Sequence, residues 1–338
     1  MGATVAGPAI AVPPTLFITD AEVAQLADWS AAVEALRRAY SVPIAPAMVP
    51  PRSMARGEGI WLRGLTAVSP AGGHMGCKLI AASMKAQRAS YLISLFDQTT
   101  MALAALIDGN RITGIRTAAT AAVAVDKAAP SRPLRVAVIG SGFEAQGLLA
   151  ALAAVRQLSE VRVFSPTPAS RERFAEKFRL ELSLAVTAVT QPEEAVKDVD
   201  VILCAARSRD ERPVIHGDWL APGMTVVSIG STLPEQREVD ERTVARATCI
   251  IADMPEEVAH DTGDMLAATR AGVDFAGKLA PLSDFVGGLV SAGPQDIVLY
   301  KSVGSALQDV VIAEMLLVQA RHKGLGCEML RSIVPVAK

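Results

Sequence analysis

Apolar and polar positions along this chain follow two rhythms, and the change from one to the other divides it. In AEVAQLADWSAAVEALRRAY, residues 21–40, Val23, Leu26, Ala27, Val33, Leu36 and Ala39 recur at helical spacing behind Asp20 as N-cap, which predicts one or two amphipathic helices. SYLISLFD and MALAALID are short β-prone runs separated by DQTT, the pattern of an antiparallel hairpin. GNRITGIRTAATAAVAVDKAA then reads as a turn and a small-residue helix, stopped by Pro130 and Pro133. The first third is therefore α+β, with strands that are not of the βαβ kind.

From Leu134 the rhythm changes. RVAVIG, EVRVFS, LAVTAV, DVDVILCAA, MTVVSIG and TCIIAD are apolar, β-branched runs alternating with helices or short loops, which predicts a parallel sheet covered on both faces. TCIIAD carries the last strand signal, and after KSVGSALQDV the pattern returns to helix in AEMLLVQARHKGLG. The expected class is α/β. A nucleotide-binding domain is expected over 131–305, and residues 1–130 and 306–338 form a discontinuous α+β domain, its C-terminal helix packing back on the first third. A chain of 338 residues is long enough for each domain to bury a core of its own. The first dozen residues read as a loose tail.

Composition narrows the partner. The chain is 51% hydrophobic and 4% aromatic with a net charge of −2, so it carries no electrostatic footprint for nucleic acid or an anionic membrane, and a small molecule is expected. No apolar run reaches the roughly 18 residues of a membrane span. The start MGATVAGPAIAVPP has neither a charged n-region nor an apolar h-region, and Cys77, Cys204, Cys249 and Cys327 show no C-x-x-C spacing, as in a reduced, cytoplasmic protein. The histidines are scattered. Only Glu256 and His260 share an i,i+4 spacing, and no third ligand completes a metal site there, so no metal is expected.

The candidate chemistry begins at Gly140-Ser141-Gly142-Phe143-Glu144-Ala145, which fits G-x-G-x-x-G/A directly after a buried strand and directly before a helix, the context of a Rossmann dinucleotide site. Gly140 permits the tight turn, Gly142 lets backbone approach the pyrophosphate, Ala145 allows close helix–sheet packing, and the helix N-terminus offers N–H groups to the anion. About 20 residues on, where an NAD site usually places Asp or Glu for the ribose hydroxyls, this chain has Ser165, Thr167 and Arg171 with no carboxylate until Glu172. Hydroxyls and an arginine suit a 2′-phosphate, so NADP(H) is the preferred cofactor and NAD(H) the alternative. In the competing reading, Ser165 and Thr167 cap the next helix and Arg171 sits in solvent. The first domain holds well-spaced cations in Arg52, Lys78 and Arg116, but composition alone does not select them.

A resemblance does. Arg52, GCKLI with Lys78, LFD, ALIDGNRITGIRTAATAAVA, VAVIGSGFEAQ, ILCAA, VSIGSTLPEQREVD and KSVGSALQDV together resemble the ornithine cyclodeaminase/μ-crystallin family over nearly the whole chain. The resemblance implies a homodimer whose first domain carries substrate binding and dimerisation. It further implies that Arg52 and Arg116 clamp a substrate carboxylate, that Lys78 is the active-site lysine, and that Thr117 and Gln146 neighbour the cofactor. Ala205, Gly230, Ser231 and Ser302, in matching stretches, are further cofactor candidates, and Met54 and His74 are candidates for lining the substrate cavity. One position departs from the cyclodeaminase pattern: Thr232 stands where those enzymes have an aspartate, and a threonine hydroxyl cannot serve as the general base of deamination. With Lys78 and Thr232 as catalytic candidates, the resemblance implies the reductase branch, acting on Δ1-pyrroline-2-carboxylate or Δ1-piperideine-2-carboxylate. The alternatives are alanine dehydrogenase, opine-type reductive amination or ornithine cyclodeaminase chemistry, and a μ-crystallin-like binding protein.

Overall fold

Thr19, not Asp20, starts the first helix. Its hydroxyl accepts from the Glu22 amide at 3.3 Å while the Glu22 carboxylate accepts from the Thr19 amide at 2.8 Å, a reciprocal capping box that makes Asp20 the first helical residue. The computed structural model describes residues 13–206, 210, 212–331, 333 and 335–336, so the expected N-terminal tail lies outside the described residues. Helices α1 (Asp20–Leu26) and α2 (Trp29–Tyr40) bear out the amphipathic pattern of the opening stretch.

Among the described residues the strands form two sheets. The first takes β1 (Leu16–Ile18), β2 (Ser53–Gly57), β3 (Ile60–Val68), β4 (His74–Ser83), β5 (Arg88–Asp97) and β6 (Leu103–Asp108), and a late strand, Cys327–Glu328, pairs with the outer edge of β1. Its spatial order is β1-β6-β5-β4-β3-β2, antiparallel except where β1 lies parallel to β6. The expected hairpin is β5 and β6. Helix α3 (Asn110–Ala128) follows, the small-residue helix ended before Pro130.

The second sheet takes β7 (Leu134–Ile139), β8 (Leu158–Phe164), β9 (Val186–Ala188), β10 (Val201–Cys204), β11 (Thr225–Ser228), β12 (Cys249–Ala252), β13 (Leu279–Pro281) and β14 (Val298–Lys301), all parallel, in the order β13-β12-β14-β11-β10-β7-β8-β9. TCIIAD is thus not the last strand. β14 lies in the middle of the sheet, between β12 and β11, but it is four residues long and ends on Lys301, which leaves an apolar run too short to mark it. Helices α4 (Phe143–Ala153), α5 (Pro168–Leu182), α6 (Pro192–Val196), α7 (Glu241–Arg246), α8 (Pro255–Asp261), α9 (Gly263–Arg270) and α10 (Leu282–Val286) connect these strands, and α11 (Ala306–Lys323) lies on β3, β4 and β5 and against α2 and α3.

The two halves do not bury separate cores. Val136 and Val138 of β7 face the apolar cluster shared with α3, α4, α11 and the first sheet, while Ala137 and Ile139 face a second cluster with α6, α7 and α9. The reason lies in small residues: a Cβ on Gly147 of α4 would stand 3.4 Å from the Ala118 Cβ of α3, so two helices from different halves pack closely and carry one core across the boundary.

Asp200, buried just before β10, ties that strand to β7. It accepts both terminal nitrogens of Arg132 at 2.6 and 2.9 Å and the Arg135 amide at 2.8 Å. Burial pushes its carboxyl up, but the hydrogen bonds from Arg132 and Arg135 outweigh that and hold it below the usual aspartate value. A group depressed in this way stabilises the fold above its unfolded pKa of about 4 and loses that contribution as pH falls through the folded value. Asp200→Asn is expected to cost about 1–3 kcal/mol in urea denaturation at pH 7, with the gap to the parent protein closing below about pH 4. A gap that stayed constant from pH 7 to pH 3 would contradict this role.

Candidate active site

Alternation along two strands builds one wall of a cavity of about 240 Å³. Trp61, Arg63 and Leu65 share a face of β3, and Ile80 and Lys78 of β4 pair in register with Arg63 and Leu65. The opposite wall comes from residues just beyond the C-terminal ends of β10, β11 and β14, including Ala205, Gly230, Thr232 and Ser302. In the second sheet the chain runs outward from β7 through β8 on one side and β10 on the other, and the crevice at such a reversal is where open parallel sheets bind ligands.

Arg52, Lys78 and Arg116, far apart in sequence, meet in this cavity. Lys78 is buried and donates to Thr113 Oγ1 at 2.7 Å and Asp309 Oδ1 at 3.0 Å, with the Tyr91 ring 5.6 Å from its Nζ. Asp309 also lies 3.5 Å from Arg116 Nε, so one carboxylate serves two cations. Burial pushes the Lys78 ammonium below its ordinary value; Asp309 pulls it back, and Arg116 and Arg52 add to the lowering. Arg116 donates to Gln308 Oε1 at 3.0 Å, and Arg52 donates to the Gly304 carbonyl at 3.0 Å and pairs with Glu257 of α8.

Buried carboxylates fix the loops opposite. Asp253 accepts from the Ser302 hydroxyl at 2.6 Å, the Val303 and Gly304 amides and the Gln308 amide, which holds the turn after β14 against Arg52 and Arg116. Gly304 has φ +82°, and a side chain there would strike the Arg116 guanidinium. Glu238 accepts from the Ala206 and Gly230 amides and the Ser228 hydroxyl, while Lys301 donates to Ser228 Oγ and the Ser231 carbonyl and pairs with Asp264 at 3.0 Å. Burial pushes the Glu238 carboxyl up, with Lys301 opposing it. Gly230 is small because Glu238 occupies the space of its side chain, and the Ser231 hydroxyl is spent on the Gln236 carbonyl. The Thr232 hydroxyl lines the cavity and donates to Gln236 Oε1 at 3.2 Å.

The glycine turn fits a dinucleotide. Gly140 has φ +110°, and a Cβ there would press on the Ala205 carbonyl oxygen at 2.7 Å; a Cβ on Gly142 would meet nothing within 4 Å, leaving the N-terminus of α4 open to an anion; Ala145 is fully buried. Thr117 and Glu144 line the cavity, whereas Phe143 and Gln146 stand in an adjoining cleft beside Trp29 and Lys177. At the end of β8 the Ser141 hydroxyl donates to Ser165 Oγ at 3.0 Å and Arg171 donates to the Ser165 carbonyl at 3.0 Å. Thr167 occupies the N-cap position of α5 without a side-chain cap bond, so these residues are not helix caps by side chain, and Arg171 folds back rather than out.

Two expected lining residues are elsewhere. Met54 of β2 does not reach the cavity, and His74, the first residue of β4 and four positions before Lys78, is buried against Glu314 Oε1 of α11 at 3.0 Å. The structure adds Arg63, Asp309, Asp253, Glu238 and Glu257, which sequence reasoning passed over. A signal existed for one of them: Asp309 directly precedes the apolar run Val310–Ala313 of α11, where an ion is buried only if paired.

The model of the ornithine cyclodeaminase/mu-crystallin family matches residues 62–324. The chain is 27% identical over 225 residues to the Δ(1)-pyrroline-2-carboxylate reductase of Bacillus cereus, covering 66% of this chain and 68% of that protein. It is 28% identical over 223 residues to the ketimine reductase mu-crystallin of Mus musculus, covering 66% and 67%. Among solved structures it is similar to Thermococcus litoralis Δ(1)-pyrroline-2-carboxylate reductase in complex with NADH and L-proline, with 25% identity, a TM-score of 0.84, and coverage of 93% of this chain and 100% of that one.

The shared carboxylate makes a quantitative demand. Asp309→Asn leaves Lys78 and Arg116 buried together without a counter-charge and is expected to cost about 3–5 kcal/mol in urea denaturation. Lys78→Met is expected to cost less, because Asp309 keeps Arg116. The double variant should recover part of the loss, with a coupling of about 1–3 kcal/mol. Losses that simply add would show that the three groups do not form a unit.

Proposed function

Because the chain belongs to the ornithine cyclodeaminase/mu-crystallin family, we propose that it is an NAD(P)H-dependent reductase of cyclic imino acids, converting Δ1-pyrroline-2-carboxylate or Δ1-piperideine-2-carboxylate to L-proline or L-pipecolate. The chain is an oxidoreductase; the substrate and the choice of NADPH over NADH are our reading. The observation that carries it is the convergence of Arg52, Lys78 and Arg116 in one cavity against the C-terminal ends of the parallel strands. The B. cereus relative and the T. litoralis neighbour, named for pyrroline-2-carboxylate reduction, support the same chemistry.

In this reading Arg52 and Arg116 hold the substrate carboxylate through their planar guanidinium forks and so fix the imine carbon in place. The nicotinamide supplies hydride when bound. Lys78, desolvated yet held in its charged form by Asp309, keeps the imine nitrogen protonated as negative charge arrives. Thr232 leaves that part of the cavity without a carboxylate, so the base for deamination is absent. Ser141 of the glycine turn, with Ser165, Thr167 and Arg171 after β8, gives this place hydroxyls and a cation where an NAD site has a carboxylate, which favours a 2′-phosphate.

We take 1–130 with 306–338 as the substrate and dimerisation unit, working as a homodimer in the cytoplasm. The support is the outward face of the first sheet, where Ile60, Leu62, Leu79 and Leu92 are exposed side by side. Among the described residues no helix is long and apolar enough to cross a membrane.

The test is a panel of pyrroline-2-carboxylate, piperideine-2-carboxylate, pyruvate plus ammonia, and ornithine, each with NADPH and NADH. The expected result is imine-dependent cofactor oxidation with higher kcat/KM for NADPH, a Ser165→Asp variant that loses this preference, and no ammonia from ornithine. Ornithine deamination by the parent protein, or turnover with pyruvate plus ammonia alone, would overturn the assignment.

A further inference from the structure

The charges of the cavity do not balance. Lys78 and Arg116 share Asp309, and Arg52 has Glu257 and the Gly304 carbonyl. Arg63 is different: among the described residues its side chain forms no hydrogen bond and no ion pair. Its Nε is buried without a partner, and its guanidinium rests 5.1 Å from the Trp61 ring centre. Burial, and then the neighbouring charge of Arg52, oppose its positive charge, and Glu257, whose charge offsets this in part, is already engaged by Arg52.

A half-buried arginine left without an acceptor in a ligand cavity is a cost that an anionic ligand removes. Position decides which anion. Arg63 and Lys78 lie on neighbouring strands, two positions apart in register, since Arg63 pairs with Ile80 and Leu65 pairs with Lys78. Diagonal neighbours of this kind are about 7–8 Å apart at the backbone, so Arg63 serves a group a few bonds away from the one beside Lys78. The carboxylate clamp assigned to Arg52 and Arg116 does not use it. The aromatic rings of Trp61 and Tyr91 flank the space between and suit a short carbon chain or ring.

We propose that Arg63 receives a second carboxylate, so that the preferred substrate of this cavity is a 2-imino acid, cyclic or open, with a further carboxylate two to four bonds from the imine carbon. This rests on the cavity being the imino-acid site of the reductase reading and names the substrate class within it. Arg63 is then a specificity-determining residue, and simple cyclic imino acids with one carboxylate are its slower substrates.

Binding of saturated acids tests this without turnover. Calorimetric titrations of the whole protein, with and without NADP+, would compare succinate with butyrate and glutarate with pentanoate. The parent protein should bind at least one diacid about tenfold or more tighter than its matched monoacid, equivalent to about 1.4 kcal/mol. In Arg63→Met that preference should vanish while monoacid affinity stays within about threefold, and Arg63→Lys should keep part of it. Equal affinity for diacid and monoacid in the parent protein overturns the proposal whether or not the variants fold, and so does a preference that survives in folded Arg63→Met. If the preference is present but no imine is reduced, the reductase reading fails alone. If imines are reduced and the preference is absent, the second carboxylate fails alone.

Discussion

Asp309 sits between Lys78 and Arg116, and the form of the cavity depends on that shared carboxylate. Each of the three comes from a different element: Lys78 from β4, Arg116 from α3 and Asp309 from the first turn of α11. Burying two cations and one anion is unfavourable unless each keeps its partners, so the arrangement fixes α11 against the first sheet and α3 beside it. It also leaves one net positive charge to be satisfied at the cavity wall. In the reading proposed above, an anionic substrate supplies the opposing negative charge, and the contact that orients it is the one that satisfies the cavity wall.

The nucleotide side is held by a second set of buried ions. Glu238 gathers the amides of Ala206 and Gly230, Lys301 and Asp264 pair beneath the turn after β11, and Asp253 gathers the amides after β14. Networks satisfied in this way are rigid, because any displacement exposes an unpaired charge in a medium that solvates it poorly. The consequence is that Thr232, Ser302 and Gly304 have defined positions opposite Lys78. Of the cofactor candidates Gly230, Ser231 and Ser302, the side chains of the two serines, and the space a side chain on Gly230 would fill, are committed to this scaffold.

What could be read in advance followed from periodicity and from turns. The β5–β6 hairpin, α3, and the β7–glycine turn–α4 unit each carry a pattern that one local rule explains. β14 escaped because a central strand of four residues with a buried lysine looks like a loop. Asp309 and Asp253 escaped because an acidic residue in sequence is ordinarily a surface residue, and only the fold reveals that Lys78 or the turn after β14 faces it. Arg63 escaped because no motif surrounds it; its meaning comes from what the structure fails to place beside it. His74 shares β4 with Lys78, but four residues along a strand carry it about 13 Å away, to Glu314.

The central claim is that burial and the shared carboxylate tune Lys78 to deliver a proton at the imine nitrogen. The pH dependence of kcat for imine reduction tests it most directly. Because burial lowers the Lys78 pKa, the protonated form needed for the reaction is present below that pKa and lost above it, so activity should fall about tenfold per pH unit on an alkaline limb that begins below the ordinary lysine range. Lys78→Arg, which stays charged, should show residual activity without that limb. An identical alkaline limb in both proteins would show that the titrating group is not Lys78 and would contradict the account.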